Sequence, residues 1–333
     1  MGRPFVFLSM EKLMALANLR ALGTKSAGCL AVAAGLLLSG CSGSSDSAQG
    51  SGSSKLPDVG AAPKVVRSAD LKYPMQAFAP AAGEIRRLSQ AQQVLTQQCM
   101  RRYGFTYDAP DSSSTGAESD TARRYGLSEA RDAQRYGYAD PGVRPAGRGS
   151  DHELDPAMLA VLNGSDDLNP DSLPETQAEA EARKGDGVPV GGCSRESYLK
   201  LYAPKKGMID IAFAQTLERQ AYMKSRTDPR VIAVIKKWSA CMRDGGYDVK
   251  DPVSPMKELG VEQDPSGDAA VKAAVLDVQC KEKVNLVGVW FSVESAYQKR
   301  AIDDNVETLS TYKQQSRDRL RYANSLISGK PAE

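Results

Sequence analysis

The side chains able to do chemistry in this chain are few, and sulfur is the best organised of them. Cys99 and Cys241 open the same string, Cys99-Met100-Arg101-Arg102-Tyr103-Gly104-Phe105 and Cys241-Met242-Arg243-Asp244-Gly245-Gly246-Tyr247. Both read Cys-Met-Arg, a short spacer, Gly, aromatic. Cys193 follows the first copy and Cys280 the second, each at the head of a polar helical segment, so one description covers both: helix–Cys–loop–Cys–helix, used twice. Four thiols allow three pairings. Pairing within each copy, Cys99–Cys193 and Cys241–Cys280, is preferred, since each bridge then closes a loop that cannot hold itself shut. Chain entropy assigns about 4 kcal/mol to the shorter loop and nearer about 5 kcal/mol to the longer. A tetrathiolate metal site is the competing chemistry, but zinc usually takes Cys pairs two to four residues apart, and no such pair exists here.

Acid–base chemistry has thinner support. Glu218 and Glu294 are candidates for a general acid and base, which would make a cell-wall-modifying hydrolase the alternative function. On amphipathic helices such glutamates are more often solvated or held by Arg. His152 serves the whole chain alone, beside Asp151 and Glu153 in an acidic stretch where no preorganised base is expected. Ser197-x-x-Lys200 and Ser254-x-x-Lys257 match the nucleophile motif of penicillin-binding enzymes, but the companion Ser-Asp-Asn and Lys-Thr-Gly elements are missing. Asp167-x-Asn169-x-Asp171 has the start of a calcium loop, yet Ser172 replaces its Gly and Ala178 its bidentate Glu. No catalytic residue, cofactor-binding residue or metal ligand is therefore assigned, and no cofactor is expected.

Charge narrows the partners. Lys plus Arg number 43 against 41 Asp plus Glu in 333 residues, so no global field points to nucleic acid. Locally the balance shifts from Arg-rich before residue 150 to strongly acidic over 151–190, the composition of a solvated loop.

The elements that must carry these residues read as helices. Ile85, Leu88, Gln92, Leu95 and Cys99 recur at steps of three and four, predicting one face of a helix over about 83–103. Before it, two prolines in residues 71–80 predict an extended arm packed on the domain. From 106 to 192 the periodicity dissolves into a long, partly disordered insertion: residues 106–121 are expected to be mobile, with short helices over about 128–136 and 156–164. Arg-Tyr-Gly recurs at Arg102-Tyr103-Gly104, Arg124-Tyr125-Gly126 and Arg135-Tyr136-Gly137, read as Gly-stopped helix ends with a Tyr beneath. An arginine-and-tyrosine ligand surface is the sharper reading. Thr227-Asp228-Pro229 is an N-cap followed by a first-turn proline, and Val231, Val234, Ile235 and Trp238 define the buried face after it. From Asp268 a long helical pattern runs past Leu309, with a break near Asn285 to Gly288. Period-two alternation is scarce and no Gly-rich phosphate loop occurs, so the fold class is all-α. Alternating strand–helix patterning of a two-lobed solute-binding protein is missing.

The N-terminus supplies the address. Arg3, Lys12, Arg20 and Lys25 precede a short apolar run from Ala27 to Leu38 that contains Cys29. It is too short for a mature span, which needs about 20 residues, and fits a signal peptide over 1–40. Leu38-Ser39-Gly40-Cys41 resembles the lipobox of bacterial lipoproteins, which implies cleavage before Cys41 and a diacylglyceryl group on its thiol. Residues 41–69 then form a Gly/Ser-rich tether, followed by a first helical module over 70–205, a second over 206–327 and a disordered tail over 328–333.

Cys-Met-Arg-x-x-Gly-aromatic, Val188-Pro189-Val190-Gly191-Gly192-Cys193 and the Ala274-to-Cys280 string look like motifs of uncharacterised secreted lipoproteins from high-GC Gram-positive bacteria, across about residues 70–325. The resemblance implies a place on the outer face of the cell membrane more than a chemistry. The expected function is a non-enzymatic, membrane-anchored extracytoplasmic lipoprotein that binds another envelope component, a protein partner or a cell-wall polymer.

Overall fold

Eleven α-helices and two short 3-10 turns are present in the computed structural model, which describes residues 56–64, 67–108, 122–140, 155–164, 173–183 and 187–329. The leader, Cys41, His152, Asp151, Glu153, Asp167, Asn169, Asp171, Ser172, most of residues 106–121 and the last four residues lie outside this set. Among the described residues there is no named strand, and no helix is long and apolar enough to cross a membrane.

The all-α class holds. The helices are α1 (Ala82–Arg102), α2 (Ala130–Tyr136), α3 (Pro156–Asn163), α4 (Gln177–Ala182), α5 (Gly192–Tyr202), α6 (Phe213–Arg226), α7 (Pro229–Asp244), α8 (Met256–Leu259), α9 (Asp268–Val284), α10 (Leu286–Asp303) and α11 (Val306–Ser328). α7 begins as its sequence dictates: the Asp228 Oδ1 accepts from the Arg230 amide at 2.9 Å, and Pro229 occupies the first turn, where no helical N–H is lost. The expected break falls at Asn285, a left-handed residue (φ 53°) between α9 and α10. A second break, at Asp304 and Asn305, separates α10 from α11.

Both predicted bridges are formed, Cys99–Cys193 and Cys241–Cys280. The first joins the last turn of α1 to the first turn of α5. The second joins the last turn of α7 to the last turn of α9 rather than to a helix start. The two halves interleave: α1 packs along α11 and α5, while α2, from the expected insertion, packs along α9.

The largest core cluster lies where α7, α9 and α10 converge. Trp238 and Trp290 are fully buried there with Val231, Val234, Met242, Leu286 and Val293. Each Trp removes some 150–250 Å² from water, about 4–6 kcal/mol of transfer free energy before conformational costs. Trp290 stacks on Tyr222 of α6 at 5.8 Å and donates its Nε1–H to the Ser225 Oγ at 2.8 Å, so its polar edge is matched as burial requires.

Two expectations change. The arm over 71–80 is not extended throughout: Pro74–Phe78 forms a 3-10 turn, with Tyr73 and Met75 driven into the core. The stretch read as tether is docked from residue 56 to 64: the Arg230 Nη1 donates to the Pro57 carbonyl at 3.0 Å and the Asn285 Nδ2 to the Pro63 carbonyl at 3.1 Å. Gly288 is required there, because a Cβ would meet the Pro63 oxygen at 1.9 Å.

Candidate functional site

Three groups of buried polar side chains stand out. In the first, the structure brings Glu218 and Glu294 together, and does so through Arg124. Arg124 reaches Glu294 with Nε at 2.9 Å and Nη2 at 2.5 Å from Oε1, and Glu218 with Nη1 at 3.0 Å. Glu294 has no solvent exposure; Tyr125 donates to its Oε2 at 2.8 Å and Gln298 to its Oε1 at 2.8 Å. Arg124 also sits between the rings of Tyr73 and Tyr222, about 5 Å from each centroid. Burial opposes the Arg124 cation, but the hydrogen bonds and charges of Glu294 and Glu218 hold its pKa above the ordinary value. The two candidate carboxylates thus flank a guanidinium and hold a loop in place. Arg124-Tyr125-Gly126 is accordingly no helix end; it is a tight turn whose Tyr is 0% exposed in the main core. The other two Arg-Tyr-Gly copies do end helices α1 and α2.

The second group centres on Lys281 and Asp277, one turn apart on α9 and both buried. The Lys281 Nζ donates to the Leu127 carbonyl (2.9 Å), the Pro252 carbonyl (2.8 Å) and the Asp277 Oδ2 (3.0 Å). Three ammonium protons meet three acceptors. Trp238 and Tyr138 donate to Asp277. Burial pushes the Asp277 carboxyl up and the Lys281 amine down, against their mutual attraction. The pair pins the loops at 127 and 252 to α9.

The third group is different, because its cation lacks a hydrogen-bond partner on two of its donors. Buried positions on α11 are Leu309, Tyr312, Arg319 and Ala323, a helical stripe whose first two residues pack on Met75, Ala214 and Leu217 and whose Ala323 packs on α1 and α5. Arg319 is only 6% exposed, and its Nε and Nη2 are out of contact with solvent and without a hydrogen-bond partner. Its guanidinium lies 5.3 Å from the Tyr202 ring centroid. The nearby Asp210 uses its Oδ1 to accept from the Ala212 amide. Burial pulls the Arg319 pKa down, opposed by Tyr202 and Tyr312. Arg319 lines a groove of about 310 Å³ together with Phe78, Ile85, Leu88, Tyr202 and Ile211. That volume is at the lower end for small-molecule sites, which are mainly apolar with a few convergent polar groups. Ile85, read from the sequence as a buried position of α1, is 48% exposed and forms one wall.

Arg319 was not singled out by the sequence. The detectable sign was an Arg in register with Leu309, Tyr312 and Ala323, but the uncapped break at Asp304 hid the phase of that stripe.

The remaining sequence candidates are engaged elsewhere. The Ser197 Oγ donates to the Ser194 carbonyl at 2.9 Å, and Lys200 is held by Glu196 at 2.5 Å, with Arg102 on the same carboxylate. Ser254 lies exposed in a loop. Ala178 is in α4, and Asp155 caps α3 by accepting from the Ala157 amide. Among the described residues no three His, Cys, Asp or Glu side chains gather as metal ligands. Comparison of the chain with protein-family models, with curated proteins and with solved structures finds no match.

Proposed function

We propose that this protein is a lipoprotein held to the outer face of the cell membrane through an acylated Cys41, and that it is a non-enzymatic binder of another envelope component. The observation that carries the binding role is the Arg319 groove. A buried guanidinium with two unmatched donors costs folding energy, and a ligand that supplies the acceptors offsets that cost. The address is supported by the basic leader, the apolar run and the Leu38-Ser39-Gly40-Cys41 box. It gains support from the two intrachain bridges, since disulfides persist in oxidising compartments. The likeness of the Cys-Met-Arg and Val-Pro-x-Gly-Gly-Cys strings to secreted lipoproteins of high-GC Gram-positive bacteria points the same way. Two anchoring chains hold a protein stably on a membrane, at about 0.8 kcal/mol per buried methylene.

The test is metabolic labelling with an alkyne-tagged palmitate, followed by fractionation and crosslinking on intact cells. Label on the wild type, none on Cys41→Ala, and crosslinks to wall polymer or to an envelope protein are expected. An unlabelled wild-type protein recovered from the cytosol would sink the reading.

A further inference from the structure

Resting on that reading, we infer that the groove between α1, α11 and the turn at Pro74–Phe78 binds a small amphipathic carboxylate, a single carboxylate at the end of an apolar chain, with Arg319 as its anchor. The class follows from which donors are unmatched. Nε–H and Nη2–H lie on one edge of the guanidinium and point the same way, the side-on fork that takes both oxygens of a carboxylate. Both nitrogens of that edge in Arg319 are buried and lack a hydrogen-bond partner. A point-like cation in its place would have no such edge.

The rest of the ligand is read from the walls. Phe78, Ile85, Leu88 and Ile211 are apolar, and Glu84, Lys313 and Arg317 also line the groove. A volume of about 310 Å³ has room for roughly ten groups of the ~30 Å³ that a water occupies in the liquid, a medium-length acyl chain. Since the fork is closed to solvent in the free protein, entry requires a covering side chain to turn. Tyr202, which lines the groove and lies over the guanidinium, is placed to do so. Acceptance of the carboxylate would then replace a cation–π contact with a charge-assisted pair, the stronger of the two when desolvated.

The experiment is isothermal titration of the full chain carrying Cys41→Ala, so that no acyl group of its own competes, with decanoate below its micellar concentration. Saturable one-to-one binding is expected, with methyl decanoate and decyltrimethylammonium at least about tenfold weaker, a difference of about 1.4 kcal/mol. Arg319→Met removes no hydrogen bond seen on its fork and is expected to fold. It and Arg319→Lys, which lacks the fork, should each lose decanoate about tenfold or more, and Leu88→Trp should lose it by filling the groove. Equal binding of decanoate and its methyl ester, unchanged binding in Arg319→Met, or no binding by folded wild type would each overturn the inference. The envelope reading fails separately: it falls if Cys41 carries no lipid in cells, whatever the titration gives, and survives a failed titration if the acylated protein still crosslinks to the wall.

Discussion

Arg124 and Glu294, 170 residues apart in sequence, meet edge-on, with Nε and Nη2 both within hydrogen-bond range of the same Oε1. The contact joins a loop in a segment of weak periodicity to the middle of α10, and the whole arrangement is out of solvent at the carboxylate.

Breaking it from the buried side is expected to be costly. Glu294→Gln leaves Arg124 with Glu218 alone and should destabilise by about 3 kcal/mol, the low end for an uncompensated buried pair. Glu218→Gln removes a partly exposed partner and should cost under about 1 kcal/mol. Urea unfolding followed by circular dichroism at 222 nm orders the two; a larger loss from Glu218→Gln would refute the assignment.

A glycine substitution probes the same loop. Gly126 has φ 82°, and a Cβ there would lie 2.0 Å from the Pro252 carbonyl oxygen and 2.8 Å from the Lys281 Nζ. Gly126→Ala is therefore strained in backbone and in space, and should lose more than about 2 kcal/mol. At about 2–4 °C per kcal/mol for a chain of this size, the melting point falls measurably. Gly60→Ala, with nothing within 4 Å, is the control and should leave it within experimental error.

Acid should loosen α7. Asp228 is buried, and although desolvation works against its charge, hydrogen bonds from the Arg230 side chain and amide and from Tyr297 hold its pKa below the ordinary aspartate value. A depressed folded pKa means the unfolded chain binds the proton first. The stabilisation is complete above about pH 4 and is lost as pH falls through the folded value. Asp228→Asn should lower stability at neutral pH by about 1 kcal/mol through the weakened cap. It should also flatten the acid limb of the stability curve by up to one proton; an unchanged limb would count against Asp228.

Thiol chemistry supplies the fourth prediction. Peptide mapping without reductant should recover Cys99 with Cys193 and Cys241 with Cys280, and no other linkage. Removing the pair Cys241→Ala/Cys280→Ala should cost about 4 kcal/mol and Cys99→Ala/Cys193→Ala nearer about 5 kcal/mol. Scrambled linkages in native material would contradict the fold.

Local rules exposed much of this architecture. Thr227-Asp228-Pro229 announces α7, the three-and-four spacing of its apolar residues gives the buried face of Trp238, and the duplicated Cys-Met-Arg string leads to the right bridges. What stayed hidden depends on distance. Tyr125 lies in a polar, Gly-rich neighbourhood and is buried because Glu294, Trp290 and Tyr73 surround it, a relation no local window contains. Ile85 continues the apolar stripe of α1 yet is exposed, because the turn at Pro74–Phe78 stands off and leaves a groove. The break after Asp303 has neither Gly nor Pro; Asn305 closes it by donating to the Ala301 carbonyl, and with it went the register that marks Arg319.

Residues 100 to 192 all lie between Cys99 and Cys193, which the bridge joins. The bridge makes that part of the chain a ring, so cutting any one peptide bond inside it yields two polypeptide pieces but still one molecule. Such a cut would be silent on a gel run without reductant and visible with it, and α2, though severed on one side, would remain covalently tethered to the helix against which it rests.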